Sequence, residues 1–283
     1  MSSLDKAVRA LREDPRYADL VRDSYLGRDV HASAVRFFHS GEFSEVRRLL
    51  GHRIHGSRIL DLGAGVGIAS FAFVQSGAHS VYAIEPDPSD EVGYSALQRL
   101  AVDNPSIRII SAWGEYIPLR DESMDIVYAR QVLHHTYNLP RVLSECARVL
   151  RKGGVFLACR EHVVDNAHQL RIFLKNHLIH QLAGSENAYR LDEYLSAISA
   201  SGLQLERVFG PWDSILNAFP AVRSGSELDL FARTLLRRKL GWAGLIISFV
   251  PGVQALVWRH LKRPVPGRMY SFLATKPQHT ARG

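Results

Sequence analysis

One stretch constrains this chain more than any other. Ile59-Leu60-Asp61-Leu62 runs directly into Gly63, Gly65 and Gly67, and the chain leaves through Ile68-Ala69-Ser70-Phe71-Ala72-Phe73-Val74. An apolar run, a turn dense in glycine and a second apolar run read as a strand, a tight turn and a buried helix. Glycine is required where φ is positive, or where a ligand lies against the backbone with no room for a Cβ. A binding site is therefore expected at the carboxyl end of this first strand.

Spacing decides what that site takes. A dinucleotide fingerprint needs a third glycine three residues after the second, and Ile68 stands there instead, which disfavours the nicotinamide oxidoreductase that would otherwise share the fold. Asp61, two residues before Gly63, gives a pyrophosphate nothing but suits a cationic cofactor. Ser80 to Ile84 reads as a second strand ending in Glu85-Pro86-Asp87, where an acidic side chain can accept from both hydroxyls of a ribose. At these residues the chain resembles the class I S-adenosylmethionine-dependent methyltransferases, whose first motif has the form Asp-x-Gly-x-Gly-x-Gly. The resemblance implies S-adenosylmethionine as cofactor. It also implies that Gly63, Ala64, Gly65 and Gly67 admit the cofactor, that Asp61 orders the loop or the cofactor's amino end, and that Glu85 takes the ribose.

The resemblance continues to Cys159. Tyr94 to Val102 reads as a helix and Ile107 to Ser111 as a third strand. Residues 112–128 are similar to the family's adenine-facing turn. Many members carry aspartate where Trp113 stands, so this ring either stacks on or walls off the adenine, or belongs to the core. The fourth strand, Asp125 to Ala129, ends at Arg130-Gln131-Val132-Leu133-His134-His135, which in the family lines the methionine part of the cofactor and the methyl-transfer site. Gln131 is therefore a cofactor residue. His134 and His135 are candidate catalytic residues, either as a base for an attacking hydroxyl or as packed residues at a helix start. A helix over 141–150, the Gly153-Gly154 stop and a fifth strand, Val155 to Cys159, complete the core.

Arg160-Glu161-His162 leaves the fifth strand over the site, adding His162 to the catalytic candidates. The following segment holds His168, Asn176, Glu186 and the acceptor-binding candidates His177, His180, Asn187 and Tyr189, with Glu161 as a further one. Such side chains either hydrogen-bond a polyol directly or ligate a divalent metal, and the working assignment takes no metal. Arg160 to Val163, Lys175 to His177 and Glu186 to Leu191 resemble bacterial methyltransferases of surface polysaccharide biosynthesis. That likeness implies a polar acceptor, a sugar hydroxyl or glycan precursor; the alternative is a lipid or other small molecule at a membrane surface.

The expected architecture is α/β: a seven-stranded doubly wound sheet with an antiparallel last strand. An N-terminal helical cap occupies 1–55, the cofactor-binding core 56–160, and a substrate-side lid, helix and sixth strand 161–213. A helical insertion at 214–266 and the last strand and tail at 267–283 complete it. Within the insertion, Leu240 to Trp258 is apolar, and Arg237-Arg238-Lys239 and Arg259 to Arg263 flank it. Spanning a bilayer is excluded because the last strand must return to the sheet and Pro251-Gly252 divides the run. Two helices buried against the domain or in an oligomer interface, or lying in a membrane interface, remain. The net charge of +7 does not indicate nucleic acid, because the charges are dispersed through residues 1–60 and otherwise gather at Arg233 to Arg263 around this apolar segment, whereas an RNA reader interleaves basic residues with exposed aromatics. Cys146 and Cys159 lie in apolar contexts without metal-ligand spacing. The first residues lack a basic region followed by an apolar one, so the expected location is cytoplasmic or peripheral at the inner face of the membrane.

Overall fold

A computed structural model describes residues 3–184 and 186–278. Four helices open the chain: α1 (Ser3–Glu13), α2 (Ala18–Asp23), α3 (Val30–Phe38) and α4 (Gly41–Leu50). Their starts are set by local chemistry. Asp29 accepts from the Ala32 amide at 2.8 Å and Ser40 from the Phe43 amide at 3.0 Å, satisfying donors that a helix leaves open. Strand and helix then alternate through β1 (Arg58–Leu62), α5 (Ile68–Gln75), β2 (Ser80–Ile84), α6 (Tyr94–Ala101), β3 (Ile107–Ile110), β4 (Met124–Arg130), α7 (Leu139–Val149) and β5 (Leu150–Val164). Next come α8 (Ala167–Asn176), α9 (Leu178–Ala183), β6 (Tyr189–Arg190), α10 (Leu191–Ala200) and β7 (Gln204–Phe209). The chain ends with α11 (Ile215–Ala218), α12 (Gly225–Ile247), α13 (Val253–Leu261) and β8 (Arg268–Thr275).

The sheet order is β3-β2-β1-β4-β5-β8-β7, with β6 paired to the end of β5. Strands β1 to β5 pair in parallel, and β8 runs antiparallel between β5 and β7. Alternation along the strands feeds two apolar layers, because successive side chains point to opposite faces. Ile59, Ile126, Tyr128 and Leu157 pack with Phe37, Phe43 and Phe73 of α3, α4 and α5. Leu60, Val127, Phe156 and Ala158 pack with Val142, Leu143 and Cys146 of α7 and with Tyr194 and Ile198 of α10. Both cysteines are free and buried in these layers. Strand order reverses between β1 and β4, so the crevice outside their carboxyl ends is where a ligand is accommodated.

Three features differ from the sequence reading. Strand β5 does not stop at Cys159: it continues to Val164 through a register shift between Ala158 and Glu161, where Arg160 takes φ 63°. Arg160, Glu161 and His162 are thus buried strand residues and not a segment lying over the site. The short β6 makes the sheet eight-stranded. Finally, α12 and α13 are not hidden against the domain. Ala232 and Gly244 are the buried positions of α12, while Trp242, Ile246, Phe249 and Leu256 are 78%, 69%, 65% and 64% exposed. The arm bends at Gly241 (φ 59°) as well as at Pro251-Gly252. No helix among the described residues is long and apolar enough to cross a membrane.

Candidate functional site

The glycine loop follows from close packing. Gly63 has φ 63°, and a Cβ there would lie 2.2 Å from Val132 Cγ2, so the loop and the segment after β4 touch through bare backbone. Gly67, at φ 85°, opens α5, and its Cβ would meet Leu97 at 2.3 Å. Asp61 is fully buried and accepts from Ser70 Oγ at 2.6 Å, tying β1 to α5 under the loop. Its side chain therefore orders the loop from beneath; burial raises its pKa to about 6, with Ser70 opposing. The Ala64 amide donates to the Ile84 carbonyl at 2.9 Å, joining the loop to β2.

Glu85, at the end of β2, faces the same loop. One carboxylate oxygen accepts from the Gly65 amide at 2.7 Å and the other from the Asp87 amide at 2.9 Å. Burial outweighs these two donors and pushes the pKa up to about 7. Helix α1 is latched over the turn that follows: Arg9 pairs with Glu91 at 2.6 Å, Arg12 also binds Glu91, and Ser89 bonds Asp5. Trp113 is 56% exposed and lies 5.6 Å from the Tyr137 ring, so it is a surface side chain at the carboxyl end and not part of the core. Gln131 takes φ 53° and donates its amide to the Cys159 carbonyl at 2.9 Å, which turns the chain out of β4.

Beyond Gln131 a cluster forms that spacing did not foretell. Glu161 accepts from the Val132 amide at 3.1 Å and the His134 amide at 3.1 Å, and stands 2.6 Å from His134 Nδ1. Its oxygens are occupied and it is fully buried, so Glu161 orients His134 and does not reach an acceptor. His162 Nδ1 lies 2.9 Å from the Gly267 carbonyl, and its ring is 4.7 Å from that of His134. Glu186 enters from the segment before β6. Its carboxylate lies 3.6 Å from His134 Nε2, 3.9 Å from His135 Nε2 and 3.8 Å from His177 Nδ1. Tyr189 donates to the Thr136 carbonyl at 2.7 Å and so ties the Glu186 segment to the histidines; its hydroxyl is engaged by the protein. Asn187 is half-buried in the same segment, and His180 in α9 has a buried Nδ1 without a hydrogen-bond partner among the described residues.

Charge distribution in this cluster is uneven. Burial disfavours a charged His134, but the carboxylates of Glu161 and Glu186 overcome it and raise the pKa to about 9. His162 is lowered to about 4, first by burial and then by His134. Burial would raise Glu186, yet the surrounding histidines hold it down to about 2. With nothing bound, His134 is thus an imidazolium at neutral pH and cannot take a proton from an acceptor, whereas His162 is neutral.

Two residues have a larger part in the structure than the sequence reading assigned them. Glu186 was named in the acceptor segment but not singled out with Asn187 and Tyr189, although a carboxylate following the five histidines of segments 134–135 and 162–177 is the chemical signal. Glu42 was read only as part of a helix. It is fully buried in α4, binds Arg130 at 2.6 and 3.1 Å, and lies 4.0 Å from Arg160. Burial opposes its ionisation, but the two guanidiniums prevail and lower its pKa. These contacts tie α4 to the end of β4 and to the register shift in β5.

Comparison with known proteins agrees with this geometry. Residues 60–158 match a methyltransferase domain family. The chain is 27% identical over 170 residues to a ubiquinone biosynthesis O-methyltransferase of Agrobacterium fabrum, covering 58% of this chain and 67% of that protein. Against a sterol 24-C-methyltransferase of Gibberella zeae it is 30% identical over 223 residues, covering 71% and 57%. A ubiquinone biosynthesis O-methyltransferase of Rhizobium etli is matched over 62% of its length. The fold is shared with a geranyl diphosphate methyltransferase solved with S-adenosylmethionine: TM-score 0.58, 16% identity, 95% of this chain and 94% of that one. The glycine loop, the acid at the end of β2 and these matches lead to one conclusion: residues 60–158 are a class I S-adenosylmethionine-dependent methyltransferase domain, and S-adenosylmethionine is its cofactor.

Proposed function

We propose that this chain transfers the methyl group of S-adenosylmethionine to a hydroxyl oxygen of a polar acceptor, a sugar or glycan precursor carried on a lipid. The observation that carries this reading is the polar cluster of His134, His135, His162, His177 and Glu186, which follows Val132, itself packed against Gly63 of the glycine loop. Glu85 takes the ribose hydroxyls, Gly63 to Gly67 admit the cofactor's backbone, Gln131 borders its methionine part and Trp113 covers the adenine.

The acceptor oxygen attacks the methyl carbon, the carbon–sulfur bond breaks with its electron pair left on sulfur, and the hydroxyl proton passes to neutral His162 or to water. The sulfonium is already activated, so the protein's main contribution is alignment of oxygen, methyl and sulfur, which can supply several kcal/mol of the barrier reduction. The lipid carrier is supported by the arm. Its exposed Trp242, Ile246, Phe249 and Leu256 lie among Arg233, Arg237, Arg238, Lys239, Arg259, Lys262 and Arg263, a composition suited to an interface bearing anionic headgroups.

The test is methyl transfer from radiolabelled cofactor to free sugars, lipid-linked sugars and isoprenoid phenols, with linkage analysis of the product. An O-methyl ether on a lipid-linked sugar is the expected product; methyl on carbon or nitrogen would overturn the reading. Cosedimentation with vesicles containing anionic lipid should be lost in Trp242→Ser/Phe249→Ser. Equal binding by that variant and the unaltered chain would remove the membrane part.

A further inference from the structure

The pocket contains an arrangement that methyl transfer alone does not require. One ligand atom each from His134, His162 and Glu186 lies within 4.8 Å of the others. The His134–Glu186 and His177–Glu186 separations, 3.6 and 3.8 Å, are too long for good hydrogen bonds. They are close to the ~3.4 Å that separates two ligand atoms on a tetrahedral ion with bonds near 2.1 Å. Glu186 Oε2 and His177 Nδ1 are buried without a hydrogen-bond partner among the described residues, which is costly unless something else engages them.

The orientation of the rings is also controlled from outside. His134 directs Nδ1 at the Glu161 carboxylate at 2.6 Å, and His162 directs Nδ1 at the Gly267 carbonyl at 2.9 Å. With Nδ1 held in this way, Nε2 of each ring is the nitrogen left for a ligand, as second-sphere partners leave it in metal-bound imidazoles, and His134 would release its Nε2 proton when an ion binds.

We infer that His134, His162 and Glu186 form a binding site for one divalent transition-metal ion of the zinc type, with His177 Nδ1 beside it at 3.8 Å from Glu186. Imidazole-rich sets favour such ions over magnesium or calcium, which prefer oxygen. The inference depends on the acceptor reading only for the ion's use: an ion here would bind the acceptor hydroxyl and promote its ionisation before attack on the methyl carbon, and with His162 then a ligand the proton would leave to water. Binding itself is measurable without any methyl transfer.

The experiment uses the full chain, stripped with chelator and dialysed. Zinc is titrated calorimetrically against a competing chelator, and cobalt(II) is followed by its visible absorption. One zinc per chain and intense tetrahedral cobalt bands are expected. Glu186→Gln and His162→Ala should each weaken binding at least about 100-fold, with His168→Ala, outside the cluster, unchanged and circular dichroism preserved. Stoichiometry far below one, or zinc binding by Glu186→Gln as tight as in the unaltered chain, overturns the site. Should both variants misfold, the unaltered chain decides: weak, water-like cobalt bands refute the inference and intense ones support it. Cofactor titration on the same samples is read separately, so failure of the methyltransferase reading does not resemble failure of this one.

Discussion

Glu85 makes two opposite pH dependences that can be measured on one protein. In the ligand-free fold its carboxyl is pushed up from 4.5 to about 7 by burial. Between those values the folded chain holds a proton that the unfolded chain has lost. Unfolding free energy therefore falls as pH rises through this window, by about 3 kcal/mol for a displacement of this size. Cofactor binding has the reverse sign. The ribose hydroxyls donate to the ionised carboxylate, so below about pH 7 binding must first expel the proton, and affinity drops toward tenfold per pH unit. Between pH 7.5 and 5.5 this amounts to roughly a 25-fold weakening, provided the complex keeps the group ionised. Glu85→Gln should lose that slope together with roughly one or two orders of magnitude in affinity, the worth of a hydrogen bond to a charged group. The assays are calorimetric titration with S-adenosylmethionine and urea unfolding, each from pH 5 to 8. Asp61, raised to about 6, titrates in the same range, so the difference between the unaltered chain and Glu85→Gln is the informative quantity. An affinity that is flat with pH, or the same slope in Glu85→Gln, would refute the ribose assignment.

Two further substitutions test the supports of the site. Glu42→Gln leaves the buried Arg130 and Arg160 guanidiniums without a counter-charge and should cost about 3–5 kcal/mol in urea unfolding; a loss under about 1 kcal/mol would mean that water reaches the pair. Gly63→Ala combines a left-handed backbone with a methyl 2.2 Å from Val132. About 2–5 kcal/mol of stability and most of the cofactor affinity should go together, and a stable variant with unchanged affinity would show that the loop can yield there.

The glycine loop and the acid that faces it were legible because they are local. Asp61, the three glycines and Glu85 fall within two consecutive strand ends, and the physical demands on each can be read from spacing. The acceptor half was not. His134, His162, His177 and Glu186 come from four separate segments, and they meet only because β5 continues past Cys159 and Tyr189 ties the Glu186 segment to Thr136. Glu161 shows the same limit: its position suggested an acceptor ligand, but only three-dimensional contacts reveal both oxygens held by Val132 and His134. The arm was read as either buried or interfacial, since apolar runs of this length look alike until their neighbours are known.

The strand and helix order of residues 58–159 and the expected cofactor were legible in the sequence alone, because hydrophobic alternation and glycine spacing act over a few residues. Tertiary structure decided which groups are charged, which are occupied by the protein and which converge. Burial and through-space pairing set those properties, and both depend on residues far apart in the chain.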